Sequence, residues 1–380
     1  MIYLDNAATT FPKPDSVYAA MDEINRKKAV NAGRGSYKVA REASALIVDV
    51  KKELRRLVRA EASAAVILTP SITIALNQVI NGIEWRNGAT VYVSPYEHNA
   101  VARTLHRVAN YEKLNVRLLP LTEETMEIDL EKMKYEFSKE RPFCVICTHV
   151  SNVTGYILPV KEIFEEAKKY DAITVLDSAQ SLGLIDVNVS QIPADIIGFA
   201  GHKCLYGPFG VGGFINVSNI KLKTYITGGT GSDSLNLEMP EGPEAMYEAA
   251  SSNIVAIAGL YAALKELNVG EIQEKEKKIT RYCIDKLANI KGIKIYLPGV
   301  KENHVGIISF TIRGFSSEDI GTILDEDYDI AVRTGYHCAP YIHDYLKDKN
   351  SLGTVRIGLG QYTTQDEIDK LALALKEIVE

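Results

Sequence analysis

A lysine in a tight glycine-rich loop is an unusual place for a positive charge. Lys203 stands in Gly201-His202-Lys203-Cys204-Leu205-Tyr206-Gly207-Pro208, with no helical face on which to solvate its ammonium. Most lysines lie on the surface, stems along apolar ground and heads in water. This setting favours instead an amine whose pKa is lowered by burial, the form suited to Schiff-base chemistry. Asp177 follows the apolar run Ile173–Leu176 in Thr-Val-Leu-Asp-Ser-Ala-Gln. Taken alone, a carboxylate there reads as a helix N-cap.

Cys338 is the other candidate. It lies in a short loop between Gly335 and Pro340, beside Arg333 and His337. Nearby cations favour the thiolate, which is the reactive form of the side chain. Cys144, Cys147, Cys204 and Cys283 read as packing residues. Cys144 and Cys147 form a C-x-x-C, but in a strand their side chains face opposite ways, so neither a metal pair nor a redox pair is expected.

The elements that must position these residues alternate from about residue 64. Strands are expected at Ala64–Thr69, Thr90–Ser94, Val116–Leu121, Phe143–Thr148, Ile173–Leu176, Asp195–Phe199 and Val211–Asn216. Helical patterns at Thr73–Asn81, Glu97–Asn110, Asp129–Lys139 and Val160–Tyr170 lie between them. That alternation predicts an α/β fold with a mostly parallel, seven-stranded sheet. Only about ten residues separate the last two strands, too few for a crossover helix, so the last should be antiparallel. Helices at Ile254–Leu267 and Ile272–Ile290 then lead into strands at Lys294–Tyr296 and Gly306–Ile312. Helices at Ser317–Leu324 and Gln365–Val379 complete a smaller α+β C-terminal domain. Two domains are expected, a large one at 15–253 and a small one of 1–14 plus 254–380.

Open α/β sheets bind ligands at the carboxyl ends of their strands. Thr69–Thr73, Ser94–His98, His149–Asn152, Asp177–Gln180 and Gly201–Lys203 fall there, and they hold nearly all the chemically able residues of the domain. A carboxylate on the strand end next to Lys203 would match the pyridine nitrogen of pyridoxal 5′-phosphate (PLP), whose protonation makes the ring an electron sink. The 43 basic and 49 acidic residues give a net charge of −6, which argues against nucleic acid or a membrane surface as the main partner. The opening Met-Ile-Tyr-Leu-Asp-Asn lacks the pattern of a signal peptide, and five scattered cysteines suit a reducing cytoplasm.

These motifs resemble the class V aminotransferases, the PLP-dependent transferases of fold type I, and among them the cysteine desulfurases. The resemblance rests on Tyr3–Thr10, Glu97–Ala100, His149–Gly155, Asp177–Gln180, Gly201–Pro208, Arg333–Ala339 and Gly353–Ile357, seven motifs in order along the chain. It implies that Lys203 carries PLP as a Schiff base, that Asp177 pairs with the ring nitrogen and that Gln180 bonds the phenolic oxygen. His98 would stack on the ring, although by itself it reads as a surface histidine at a helix start. Thr73, with Ile72 beside it, and His202 would bind the phosphate, Thr73 at a helix N-terminus. Ser251 would reach the phosphate held by a second subunit. Asn152 and Arg356 would hold the substrate carboxylate, with Ala8 at the same subsite; without the resemblance Arg356 could equally serve an interdomain salt bridge.

The same resemblance makes Cys338 the thiol that takes sulfur from L-cysteine, leaving an enzyme persulfide and alanine. Its short loop is similar to that of the subfamily including selenocysteine lyases, so selenocysteine is the alternative substrate. Another class V reaction is a further alternative. A homodimer and a sulfur-acceptor protein are implied, and no metal is. The chain departs from the family pattern at Ser71-Ile72-Thr73, Ala200, Arg34-Gly35-Ser36-Tyr37 and Glu248-Ala249-Ala250-Ser251.

Overall fold

The computed structural model describes residues 1–380 except Arg34, Ser232, Asp233 and Lys301, so the divergent segment at 34–37 lies partly outside the described residues. The chain opens with β1 (Ile2–Tyr3), α1 (Asp15–Lys27) and α2 (Lys38–Val58). The alternating region then runs β2 (Ala65–Thr69), α3 (Ile72–Gly82), β3 (Thr90–Val93), α4 (Asn99–Glu112) and β4 (Asn115–Leu118). It continues through α5 (Leu130–Lys139), β5 (Pro142–Thr148), α6 (Val160–Lys168), β6 (Ile173–Asp177), β7 (Ile196–Ala200) and β8 (Gly212–Asn216). Next come α7 (Ile254–Glu266), α8 (Val269–Ala288), β9 (Ile293–Tyr296), β10 (Ile307–Ile312) and α9 (Ser317–Tyr328). The chain ends with β11 (Ile330–Ala331), β12 (Arg333–Gly335), α10 (Ile342–Leu346), β13 (Thr354–Gly358) and α11 (Gln365–Val379).

Among the described residues seven strands form the large sheet in the order β2-β8-β7-β6-β5-β3-β4. The β3–β4, β3–β5, β5–β6 and β6–β7 pairs are parallel. As the short connection requires, β8 is antiparallel to both β7 and β2. The central strands β5, β6 and β7 are buried on both faces, which is why they read as continuous apolar runs. Successive side chains alternate between two cores. Val145 and Cys147 face α2, α5, α6 and α7, while Cys144 and Ile146 face α3 and α4. The two cysteines therefore sit on opposite sides of the sheet, as the period of two predicts.

Helix starts are fixed by caps. His98 caps α4 through its ring, so that helix begins at Asn99 rather than at Glu97. Ser71 caps α3, and capping boxes at Ser316/Asp319 and Thr364/Glu367 open α9 and α11. The α3 start can press onto the sheet only because residue 212 is glycine: a Cβ there would lie 2.8 Å from the Ile72 nitrogen and 2.9 Å from the Phe199 oxygen.

The C-terminal sheet runs β12-β13-β10-β9, entirely antiparallel, with α8, α9 and α11 packed on it. Leu4 joins this core, and β1 pairs with β11. The long helices α1 and α2 and the strands β12 and β13 lie where the sequence suggested no regular element. Both β12 and β13 contain Gly and Arg, which fit loops locally and become strands only by pairing with each other and with β10.

Between the two sheets lies Glu276 of α8, fully enclosed, with the Gly306 N–H donating to its Oε1 at 2.9 Å. Burial raises its pKa from 4.5 to about 7. An acid that keeps its proton in the fold but loses it on unfolding makes stability fall as pH rises from 4.5 towards 7. Glu276→Gln, which keeps the acceptor without a charge, should therefore melt above the wild type at pH 8, by about 2–3 kcal/mol in stability, and lose that advantage at pH 4.5. Paired thermal melts at the two pH values check this.

Candidate active site

Asp177 ends β6, buried, with one oxygen accepting from the Ala179 N–H at 2.9 Å. Its other oxygen has no hydrogen-bond partner among the described residues. On the next strand, β7 runs out at Ala200 into the loop that carries Lys203. That loop is closed on itself by Gly207 N–H to Gly201 O (2.8 Å) and Tyr206 N–H to Lys203 O (2.8 Å). The N-terminal segment holds it from outside. Thr9 Oγ1 donates to His202 O at 2.9 Å, and Thr10 Oγ1 to Lys203 O at 3.2 Å. The Lys203 backbone is thus anchored from two sides. Its Nζ, by contrast, meets no hydrogen-bond or ion-pair partner among the described residues.

Burial lowers the pKa of Lys203, with Asp177 opposing the shift. For Asp177 burial raises the pKa, opposed by the Ala179 N–H and by Lys203. The neighbouring Glu97 is enclosed, its Oε1 accepting from Ser94 Oγ at 2.5 Å and from the Thr148 N–H at 2.6 Å. Burial first, and the Asp177 charge second, push its pKa up to about 8. A pKa near 8 favours the protonated form of Glu97 at pH 7, which lessens its repulsion of Asp177.

Arg356, on β13, is buried to 1% exposure. Nη1 donates to Asn152 O at 2.9 Å and Nη2 to Asp5 Oδ1 at 2.7 Å, while Nε has no partner among the described residues. Asn152 in turn donates from Nδ2 to His337 O at 2.7 Å. His98 accepts the Ala100 N–H on Nδ1 at 3.1 Å, which places the proton of the neutral ring on Nε2. Its pKa falls to about 3, through burial first and then the positive charges of Lys203, Arg333, Arg356 and Arg103. Around this neutral ring lie several cations facing few anions, a setting in which a carboxylate is stabilised.

Cys338 closes the ring of groups. Its Sγ accepts from Arg333 Nη2 at 3.4 Å, and its carbonyl accepts the Asn99 N–H at 2.7 Å, one residue past His98. It is partly exposed and opens on a cleft of about 630 Å³ lined also by Arg103, His106, Tyr336 and Tyr341.

The structure thus gathers Lys203, Asp177, His98, Asn152, Arg356 and Cys338. Gln180 is buried beside them, donating to Ala7 O at 2.7 Å, and Ala8 follows in the turn closed on Asp5. Ile72 and Thr73 begin α3, where first-turn N–H groups lack helical partners, and the buried Nδ1 of His202 has no partner among the described residues. Ser251 stands apart, exposed, its Oγ accepting from Asn31 at 3.1 Å. The chemistry of this set suits PLP: a free amine for its aldehyde, a buried carboxylate for its ring nitrogen and open N–H donors for its phosphate. Three participants were not singled out as site residues from sequence: Asp5, Asn99 and Glu97. Asp5 and Asn99 sit inside motifs otherwise read for their neighbours. Glu97 lies in the Ser94–His98 strand end and in the Glu97–Ala100 motif, and only its burial reveals its protonated form.

A family model for class V aminotransferases matches residues 2–371. The chain is 32% identical to a probable cysteine desulfurase of Methanothermobacter thermautotrophicus, over 99% of this chain and 94% of that protein. It is 31% identical to a probable cysteine desulfurase of Halalkalibacterium halodurans, over 100% of this chain and 93% of the other. The apo structure of a cysteine desulfurase from Thermococcus onnurineus superposes with a TM-score of 0.91 at 29% identity, covering 100% of this chain and 94% of that one.

Because burial and surrounding cations hold His98 neutral, a ¹⁵N NMR titration should show one tautomer, protonated on Nε2, from pH 5 to 9. A midpoint near 6.5 would contradict the electrostatics described here.

Proposed function

The chain belongs to the class V aminotransferase family, and on that premise we propose that it is a cysteine desulfurase using PLP on Lys203. The observation that carries the reading is the placement of Cys338. Its sulfur meets Arg333, and its loop is bonded to the residue after His98 and to Asn152, which also contacts Arg356.

PLP, when bound, supplies an electron sink that allows the bonds at Cα and Cβ of an amino acid to be broken. Lys203 would hold it through Nζ, with Asp177 at the ring nitrogen and Gln180 at the phenolic oxygen. Thr73, Ile72 and His202 would take the phosphate. Burial raises the fraction of Lys203 present as free amine, the form that can condense with an aldehyde or accept a proton. Neutral His98 can lie on a ring face without adding charge. Arg356 would grip the carboxylate of L-cysteine, its open Nε leaving a donor for the incoming oxygen. Lys203, once free, removes the proton at Cα. The Cys338 thiolate then attacks the sulfur of the substrate. An S–S bond forms as the C–S bond breaks and its electron pair stays with carbon; Cβ takes up one proton, equal to the one Cys338 gave up as a thiolate, and Cα takes back the one held by Lys203, which completes alanine. A thiol of an acceptor protein takes the outer sulfur of the resulting persulfide through the cleft.

The family resemblance implies a homodimer, in which the exposed Ser251 would serve the phosphate of the second subunit. The five free cysteines favour a reducing compartment, and we assign the protein to the cytoplasm. Among the described residues no helix is long and apolar enough to cross a membrane. We place the domain division at residues 15–253 against 1–14 plus 254–380. The shared core of Leu4 with α8, α9 and α11 supports the return of the N-terminus, and α7 bridges the parts by packing Ile257 and Leu260 under the large sheet.

Purified protein given L-cysteine should form alanine in one-to-one yield with bound sulfur, releasing sulfide only when a thiol or acceptor is added. Cys338→Ser should lower alanine formation by at least about 100-fold while keeping the yellow absorbance of the lysine-bound cofactor. Lys203→Ala should lose that absorbance as well. Full alanine formation by Cys338→Ser would sink the assignment.

A further inference from the structure

Two consecutive non-glycine residues, His337 and Cys338, hold left-handed backbone, at φ 46° and 58°. Side chains rarely adopt that conformation, and it persists only where surrounding contacts over-determine it. Several contacts do so here. The His337 carbonyl accepts from Asn152 Nδ2 at 2.7 Å, the Cys338 carbonyl accepts the Asn99 N–H at 2.7 Å, and His337 Nε2 lies 2.9 Å from Thr354 Oγ1.

One more contact comes from outside the groups used so far. The carbonyl of Tyr336, immediately before the strained pair, lies 2.9 Å from His343 Nε2. The other ring nitrogen, Nδ1, lies 2.5 Å from Asp348 Oδ2. Both side chains are buried, at 3% and 2% exposure, and the Tyr336 ring packs edge-on against that of His343. A backbone carbonyl and a carboxylate only accept hydrogen bonds, so while Asp348 is ionised the ring can satisfy both only with a proton on each nitrogen. The carboxylate thereby sets the direction in which His343 donates. A buried, charge-assisted pair of this kind is costly to break by removing one member.

We propose that His343, oriented by Asp348, is a positioning residue for Cys338: it fixes the Tyr336 carbonyl and so locks the left-handed turn that presents Sγ to Arg333 and to the cleft. The proposal rests on the reading of Cys338 as the sulfur-accepting thiol. Without the clamp, residues 337 and 338 relax towards ordinary backbone, and the cysteine side chain swings away from Arg333.

The test compares two amides of opposite reach in the full-length protein loaded with PLP. In His343→Gln the amide can still reach the Tyr336 carbonyl; in His343→Asn it faces Asp348 and leaves that carbonyl empty. Alkylation of Cys338 by iodoacetamide, followed by mass spectrometry of its peptide, reads the thiol directly and needs no turnover. His343→Asn and Asp348→Asn should slow alkylation about tenfold, equivalent to about 1.4 kcal/mol. They should lower kcat for alanine formation similarly, with KM for L-cysteine and cofactor absorbance unchanged. His343→Gln should stay within about twofold of the wild type. Equal losses in the Gln and Asn variants, or losses that follow melting temperature and cofactor absorbance, would overturn the positioning role, as would alkylation unaffected in both. If wild-type protein alkylates at Cys338 but makes no alanine, the desulfurase reading fails while the clamp is still decided.

Discussion

A guanidinium almost shut off from water ties together stretches of chain that are remote in sequence. Arg356 reaches Asp5 near the N-terminus and the carbonyl of Asn152 beyond β5, from a strand near the C-terminus. Burying such a charge is unfavourable unless its donors are met, and breaking one partner of a buried pair costs about 3–5 kcal/mol. This constraint fixes how the small sheet sits against the strand ends of the large one. Asn152 extends it to His337, so the same network sets the cysteine loop.

Charge is apportioned around that network by burial more than by pairing. Lys203 and Asp177 each have their charged form disfavoured by desolvation, and each partly restores the other. Glu97 takes up a proton and removes a repulsion from Asp177. His98 loses its proton and adds nothing to the cations beside it. The result is a basin that still has unused capacity: an amine, one carboxylate oxygen and a guanidinium nitrogen with no partner among the described residues.

The large sheet was legible because its strands are buried on both faces and therefore read as apolar runs with polar ends, and because Asp177, His98, Asn152 and Lys203 fall on those ends. The β8 direction followed from connection length alone. What stayed hidden depends on contacts distant in sequence. Strands β12 and β13 carry Gly and Arg and exist only through pairing, so Arg333 and Arg356 could be named as residues without their strand being seen. The role of Glu97 depends on desolvation, which composition does not reveal. His343 and Asp348 resemble surface residues of a charged loop, and only folding places them under the cysteine.

The span of chain across which Arg356 closes the site also gives the site an order in time. Ribosomes deliver Lys203 long before Arg356, and at about 5–20 residues per second the interval is roughly eight to thirty seconds. During that interval β7 and β8, joined by a short connection, can pair, while the packing of Tyr206 against Ile272, Val305 and Ile307 waits for later chain. Neither the Arg356 network nor the cysteine loop exists yet. The chain thus carries its lysine strand long before the guanidinium that closes the basin, and the last strand to emerge is what completes the site.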